Sequence, residues 1–533
     1  MATKAKRYIA LLLALSSLLT FSACGGETPK PDDEYIEGHS AGREIRKASA
    51  ADDVFTLNYS SKNSLNPMTA TNTNNQLVCD LVYENMIELD NNYNVIPRVI
   101  TEWETTDGIH WLFTVDISRR FHTGEQMTAK DVAYSLNCAV NSERFGRRLN
   151  CVIGCSQNDE KTFAVTLSKA NLLLPQLLAI PVIKYDTLKE DFPTGTGPYT
   201  YSKDKRSLVK FDGAKNAASL PLDVIYLKEY KGVDETITAF EDSLIDVVMN
   251  DPSAPTNLGY GSSNEIRGIN TTNLHYIGFN MKSDDMAYEG LRFAMNFAFD
   301  RESIVDQFGG FALEAELPVS PACDWYDASY AKQFKYDLKQ FQLVLSNMGL
   351  KDYDEDGFLE MKAGGAIKEI DIDFILCGAS SIKTNVAQKF ASDMASVGIK
   401  VTVRELTWDD YCDALAMGEF DMYYAEVRLT PDFDLSMLTL DGARMNYGGI
   451  NDEMLDGIVE RYLASEESAR RAACADMCAL ILNRGYIVPL CFERHQMITH
   501  RGVIEGIKPN ENNPLYNFEN WKISFDDTEV NYD

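Results

Sequence analysis

FHTGEQMTAKDVAYSLNCAV, residues 121–140, changes character in mid-stretch. The first six residues are turn-rich. From Met127 onward apolar residues recur at helical spacing, with Val132, Leu136 and Ala139 on one face. Thr128 is a good N-cap, and Asp131 follows three residues on, as in a capping box. Upstream, TEWETTDGIHWLFTVDI (101–117) alternates around Asp107-Gly108, a hairpin signal, with Trp111, Phe113 and Val115 on one face. Downstream, KTFAVTLSK (161–169) alternates again, and NLLLPQLLAIPVI (171–183) reads as a buried helical stretch.

The same alternation of periods runs outward in both directions. Strands are predicted at VFTLNYSS (54–61), SLVKF (207–211), LDVIYLKEY (222–230), LHYIGFNM (274–281), IDIDFIL (370–376), IKVTVREL (399–406), FDMYYAEV (420–427) and YIVPLCFERHQMI (486–498). Helices are predicted at 74–87, 234–246, 290–299, 301–308 (Asp300 capping), 337–349 (closed by Gly349), 383–398, 408–418, 452–465 and 468–485. Interleaved strands and helices imply an α/β fold with largely covered sheets. No internal repeat is visible.

The first residues carry Lys4, Lys6 and Arg7, then the uncharged run YIALLLALSSLLTF (8–21), too short for a comfortable membrane span. Ser22 and Ala23 precede Cys24, the pattern of a secretory signal. With Cys24 so placed, it resembles a bacterial lipobox, with Phe21 where an aliphatic residue is usual. Residues 1–23 are read as the signal peptide, and 24–50 as a lipidated tether too poor in large apolar residues to order itself. Acyl chains on Cys24 would hold the protein on a membrane.

The charge is −30, and −33 without the three basic signal residues. So acidic a body repels phosphate backbones, so nucleic acid is not expected as a partner. Ten of the eleven cysteines follow Cys24, several inside apolar periodic runs, and are expected to be mostly free. Cys151/Cys155 and Cys474/Cys478 are each four apart, spaced for a shared helix face, but no histidine lies close enough to complete a zinc site.

Six segments, in order, carry a resemblance: SLNPM (64–68), the block from Leu81 to Val115, FHTGEQMTAKDVAYSL, PTGTGPY (193–199), LRFAMNFAFDRESIV (291–305) and YDLKQFQLVLSNMG (336–349). Together they resemble the large extracellular solute-binding proteins of ABC importers, the peptide/nickel-binding family, over about residues 52–525. The resemblance implies a periplasmic-binding-protein-like fold: two α/β lobes with a hinge cleft, plus a third, smaller lobe. By matching segments the first lobe would be 52–85, 196–282 and 489–533. The extra lobe would be 86–195, and the second ligand-binding lobe 283–488. Hinges would lie near 279–285 and 484–492.

It also implies a function: a lipid-anchored, extracellular component that captures oligopeptides and delivers them to permease subunits. The protein would be a monomer on the outer face of the cell membrane, or periplasmic in a source with an outer membrane. Alternatives are the same fold binding an oligosaccharide or a metal chelate, or a sensing receptor without transport. No enzyme activity is expected: no Gly-X-Ser-X-Gly occurs, and PTGTGPY lacks the Lys-Ser/Thr of a phosphate loop.

Peptide-binding members place Gly-Trp and then a gripping Asp after a Phe-Asp strand. Here Phe420-Asp421 matches, Glu426-Val427 replaces Gly-Trp, and Thr430 stands at the Asp position. Glu426, Asp432 and Asp434 are candidate replacements for the amino-terminal clamp, and Arg428 a candidate for a ligand carboxylate. Asn72, Asn74 and Asn75 follow SLNPM where the family lines its cleft. Tyr276, Asn280, Tyr424 and Tyr447 complete the candidates. No cofactor and no metal is assigned. KDYDEDGFLE (351–360) begins like a calcium loop, but Ala363 stands at its twelfth position instead of a bidentate Glu.

Overall fold

The computed structural model describes residues 54–254, 264–363 and 366–524. The segment containing Cys24 lies outside them. Among the described residues no helix is long and apolar enough to cross a membrane, and all ten later cysteines are free.

An 11-stranded sheet organises the chain. Its order is Lys400–Leu406, Asp371–Cys377, Met422–Arg428, Asn264–Phe279, Ile487–His500, Val247–Asn250, Thr56–Asn58, Val224–Lys228, Ser207–Lys210 and Tyr199–Tyr201, with Ala312–Glu314 added beside Ile487–His500. Two strands at its centre are unusually long. Asn264–Phe279 and Ile487–His500 run antiparallel for most of their length. One apolar core contains Leu274, Ile277, Phe279, Val488 and Phe492; the other contains Ile269 and Met497. The two strands therefore pass from one core into the other. Their ladder is broken between Asn270 and Leu274. There Thr271 Oγ1 donates to the Glu493 carbonyl (2.7 Å), and Tyr93 Oη donates to the Thr271 carbonyl (2.9 Å). Such irregularities re-aim side chains and are common beside sites.

A second, four-stranded sheet is ordered Ile100–Thr105, His110–Val115, Thr162–Leu167, Val152–Gln157. Helix Ala129–Val140 carries the Thr128/Asp131 capping box read from sequence and packs against this sheet through its buried Val132, Leu136 and Ala139.

Several expectations change in detail. The helix predicted over 74–87 ends at Val82, because Tyr83 is extended. The chain there meets PTGTGPY: a Cβ on Gly195 would stand 2.2 Å from the Val82 carbonyl oxygen, and one on Gly197 2.4 Å from the Val82 carbonyl carbon. Those glycines serve close backbone approach. Cys155 lies on strand Val152–Gln157, with Cys151 just before it, so this pair shares no helix face. Cys474 and Cys478 do lie on one helix, both buried. The stretch 171–183 forms only the 3₁₀ turn Leu174–Leu178. Asp300 caps helix Arg301–Gln307. Arg301, 2% exposed, donates to the carbonyls of Ala315, Pro489, Asn296 and Phe334. Arg301 thereby ties its helix to the long strand Ile487–His500 at Pro489.

Candidate functional site

A cavity of about 430 Å³ lies where residues of the two cores come together. Cys79, Phe145 and Ala179 of one core and Leu429 of the other line it. Helix Thr73–Val82 presents Gln76, Cys79 and Asp80, a helical i, i+3, i+4 face. Strand Met422–Arg428 ends in the cavity wall with Arg428, and Leu429, Thr430 and Pro431 continue it. Thr272, at the break in the long ladder, lies opposite the segment at 511–512.

The wall is rich in arginine. Arg144, Arg147, Arg148 and Arg428 line it, against Asp80, Glu143 and Glu511. Arg428 pairs with Glu511 (Nη2–Oε1, 2.8 Å), yet its side chain stays 67% exposed, so most of the guanidinium still faces open space. Glu511 is itself fixed, accepting from the Thr272 backbone N–H (3.0 Å). Arg148 has only neutral partners: it donates to Asn512 Oδ1 (3.1 Å) and to the Ala179 carbonyl (2.7 Å). Its buried Nε has no hydrogen-bond partner. Burial, then repulsion from Arg428 and Arg144, pushes the Arg148 guanidinium down to about 9. Arg144 donates to the Pro67 carbonyl (2.8 Å) and is lowered mainly by burial. Burial raises the recessed Asp80 carboxyl well above the carboxylate range, against the pull of Arg144, which weakens its counter-charge. The cavity thus offers cationic, incompletely satisfied donors suited to an anion.

Of the residues singled out from sequence, Arg428 and Thr430 are in this wall. Asn72 caps helix Thr73–Val82, accepting from the Asn75 backbone N–H, and Asn74 lies in its first turn. Asn75 is fully buried. Its Oδ1 accepts from the Ser60 N–H (2.8 Å), and its Nδ2 donates to the carbonyls of Ser60, Asn63 and Ser64. Asn280 Nδ2 donates to the carbonyls of Gly418 and Phe420, both at 3.0 Å. Tyr276 and Tyr424 are buried in the core, and Tyr447 packs edge-on against Tyr423. Glu426 pairs with Lys383 (3.1 Å) and lies 3.6 Å from His275. Asp432 is 1% exposed and accepts from Asn171 Nδ2 (2.9 Å). Burial first, then the Asp434 carboxylate, push its carboxyl up. Asp434 accepts from the Ser436 N–H (2.9 Å).

Sequence reasoning passed over Arg144, Arg147, Arg148 and Glu511. One signal was available: SERFGRRLN (142–150) places three arginines within five residues of an acidic chain.

Residues 94–443 match the family described as Bacterial extracellular solute-binding proteins, family 5 Middle. Over its whole length the chain is similar to the oligopeptide-binding protein AppA of Bacillus subtilis, at 20% identity across 97% of this chain and 100% of AppA. The structure of AppA from Bacillus subtilis in complex with a nonapeptide aligns with a TM-score of 0.58 at 18% identity, covering 88% of this chain and 98% of that one. NikZ from Campylobacter jejuni in complex with Ni(L-His) aligns with a TM-score of 0.63 at 18% identity, covering 88% and 99%. These structural likenesses establish the shared fold.

Proposed function

Since the chain belongs to the bacterial extracellular solute-binding proteins of family 5, a family of binding proteins and not of enzymes, we propose that it captures a carboxylate-bearing solute of the oligopeptide class for an ABC importer. The observation that carries this reading is the arginine wall. Arg148 keeps a half-buried charge on neutral partners only, and Arg428 keeps most of its guanidinium open. A ligand carboxylate would supply the missing counter-charge through bidentate, charge-assisted bonds. The volume of about 430 Å³ is in the range of small-ligand pockets.

Capture would proceed by population shift. A solute touching both the 76–80 face and the 428–431 wall is bound best when the two approach, and so favours closure. The lobes 52–85 with 196–282 and 489–533, against 283–488, would move about the long central strands, with 86–195 carried along. Cys24 would carry the lipid that keeps the protein at the outer face of the membrane, and the permease would receive the solute from a monomer.

The test is thermal unfolding of the purified chain with short peptides, each offered as the free acid and as its C-terminal amide. Free acids should raise the melting temperature and their amides should not. Equal shifts from both forms, or none from either, would remove the carboxylate from the account.

A second reading is supported by the same wall together with Thr430 at the clamp position. A metal chelate rich in carboxylates needs cationic donors and no amino-terminal grip. Raised melting temperatures with citrate or histidine complexes of Ni²⁺, and not with peptides, would select it.

A further inference from the structure

Away from the cavity, the loop between helix Leu338–Asn347 and the hairpin Glu360–Ala363/Ala366–Glu369 gathers four carboxylates. Asp352, Asp354, Asp356 and Glu360 each place an oxygen so that all four lie within 4.8 Å of one another. Their spacing is Asp-X-Asp-X-Asp-Gly-X-X-Glu. Gly357, at the sixth position, has φ +98°, the sharp turn that the sixth residue of a calcium loop makes. Backbone N–H groups shape the loop inward: Asp352 accepts from Glu355 (2.6 Å), Asp356 (3.2 Å) and Gly357 (2.9 Å), and Asp356 accepts from Phe358 (2.9 Å).

Glu360, the buried member of this cluster, adds a second observation. It is 1% exposed. One oxygen accepts from the Tyr353 N–H (2.6 Å), while Oε1 is buried with no hydrogen-bond partner. A buried carboxylate oxygen left so is costly unless something positive meets it. Among the described residues no lysine or arginine forms an ion pair with any of the four carboxylates; Lys351 and Lys362 instead stack on the Tyr353 ring, at 4.6 and 3.9 Å.

We propose that this loop binds one Ca²⁺, with Glu360 at the ninth position supplying the inner carboxylate that the twelfth position, Ala363, lacks. The donor set favours calcium: four carboxylates supply the all-oxygen ligands that Ca²⁺ takes. Mg²⁺ also holds its waters and is seldom enclosed by protein carboxylates alone. The ion would fasten the loop where Leu359 N–H donates to the Gly398 carbonyl (2.6 Å), just ahead of strand Lys400–Leu406. The site lies outside the arginine wall, so its occupancy would bear on the stability of this region and not on solute contact.

The test uses the purified chain stripped with EGTA, titrated with Tb³⁺ and read by luminescence sensitised through Tyr353. Ca²⁺ should displace Tb³⁺ at least tenfold more effectively than Mg²⁺, and should raise the melting temperature. Asp354→Asn, at an exposed position, should fold normally and lose at least tenfold in Ca²⁺ affinity; Glu360→Gln should lose as much or more. Absence of sensitised emission, equal displacement by Mg²⁺, or unchanged affinity in Asp354→Asn would overturn the assignment.

Discussion

The arginine wall and the carboxylate loop place charge in opposite senses within one chain of net charge −30. In the wall, Arg148 is met by a carbonyl and an amide oxygen. In the loop, Asp352 and Asp356 are met by backbone N–H groups, and Glu360 Oε1 by nothing. Some other recessed charges find side-chain partners of opposite sign, as Glu84 does with Arg119 and Asp285 with Lys368, while Arg301 is surrounded by four carbonyls. Charges concentrated without such partners are the regions where a ligand would complete the electrostatics. Net charge reports neither, because both are local arrangements that a sum averages away.

The sharpest way to break this comparison is Arg148→Met. Removing a half-buried charge that only neutral groups support should leave stability nearly unchanged. Affinity for a carboxylate-bearing solute should fall at least 100-fold, about 3 kcal/mol. Calorimetric titration of the variant and the wild type, beside their melting curves, checks both halves. A marked loss of stability with solute affinity unchanged in the folded protein would make Arg148 structural.

Asn75→Ala should behave in the opposite way. The Asn75 amide holds four backbone groups of the 60–64 turn in a fully buried position. Its removal should cost about 3 kcal/mol in urea unfolding, with solute affinity unchanged in the protein that remains folded.

Glu493 tests a buried acid that is partnered. Burial raises its carboxyl, but the His275 imidazole beside it (Nε2–Oε1, 3.7 Å) and a hydrogen bond from Asn273 Nδ2 (2.8 Å) outweigh this and hold it down at about 2, from 4.5. The folded value is depressed, so the stabilisation is complete above about 4.5 and is lost as pH falls from there through about 2. Acid unfolding should therefore show a loss on the order of 2 kcal/mol in that window, and Glu493→Gln should flatten it. An unchanged acid limb in the variant would remove Glu493 from the account.

The smallest effect is expected at the sheet edge. Arg404 and Asp373 form a two-point pair (2.7 and 2.6 Å) but are each about a third exposed. Arg404→Gln should change stability by less than about 1 kcal/mol, and by less still at high salt.

How much of this was legible in the sequence depended on the range of the interactions. The Asp107-Gly108 hairpin, the Thr128/Asp131 capping box and the Asp300 cap are local, and they were readable. The strand Asn264–Phe279 was read only from Leu274 onward. Its first half, NEIRGINTTN, is polar, contains a glycine, and is held extended by pairing with Ile487–His500, residues more than 200 positions away. Strand Val152–Gln157 was missed because VIGCSQ offers little alternation and is set by its neighbour Thr162–Leu167. The site divided along the same line. Arg428 was visible because it follows a matched Phe-Asp strand. Arg148 and Glu511 belong to segments that only the tertiary fold brings beside it. In the acidic loop position twelve is Ala363, and the buried carboxylate is Glu360 at position nine, whose burial only the fold determines.

The most direct test is native mass spectrometry of the purified wild-type chain and Arg148→Met, each before and after mild unfolding. Wild-type protein should release a heterogeneous set of carboxylate-bearing peptide masses retained from its host, and the variant should be nearly empty. The same masses from both proteins, or a neutral solute from the wild type, would contradict an arginine-held anion in this cavity.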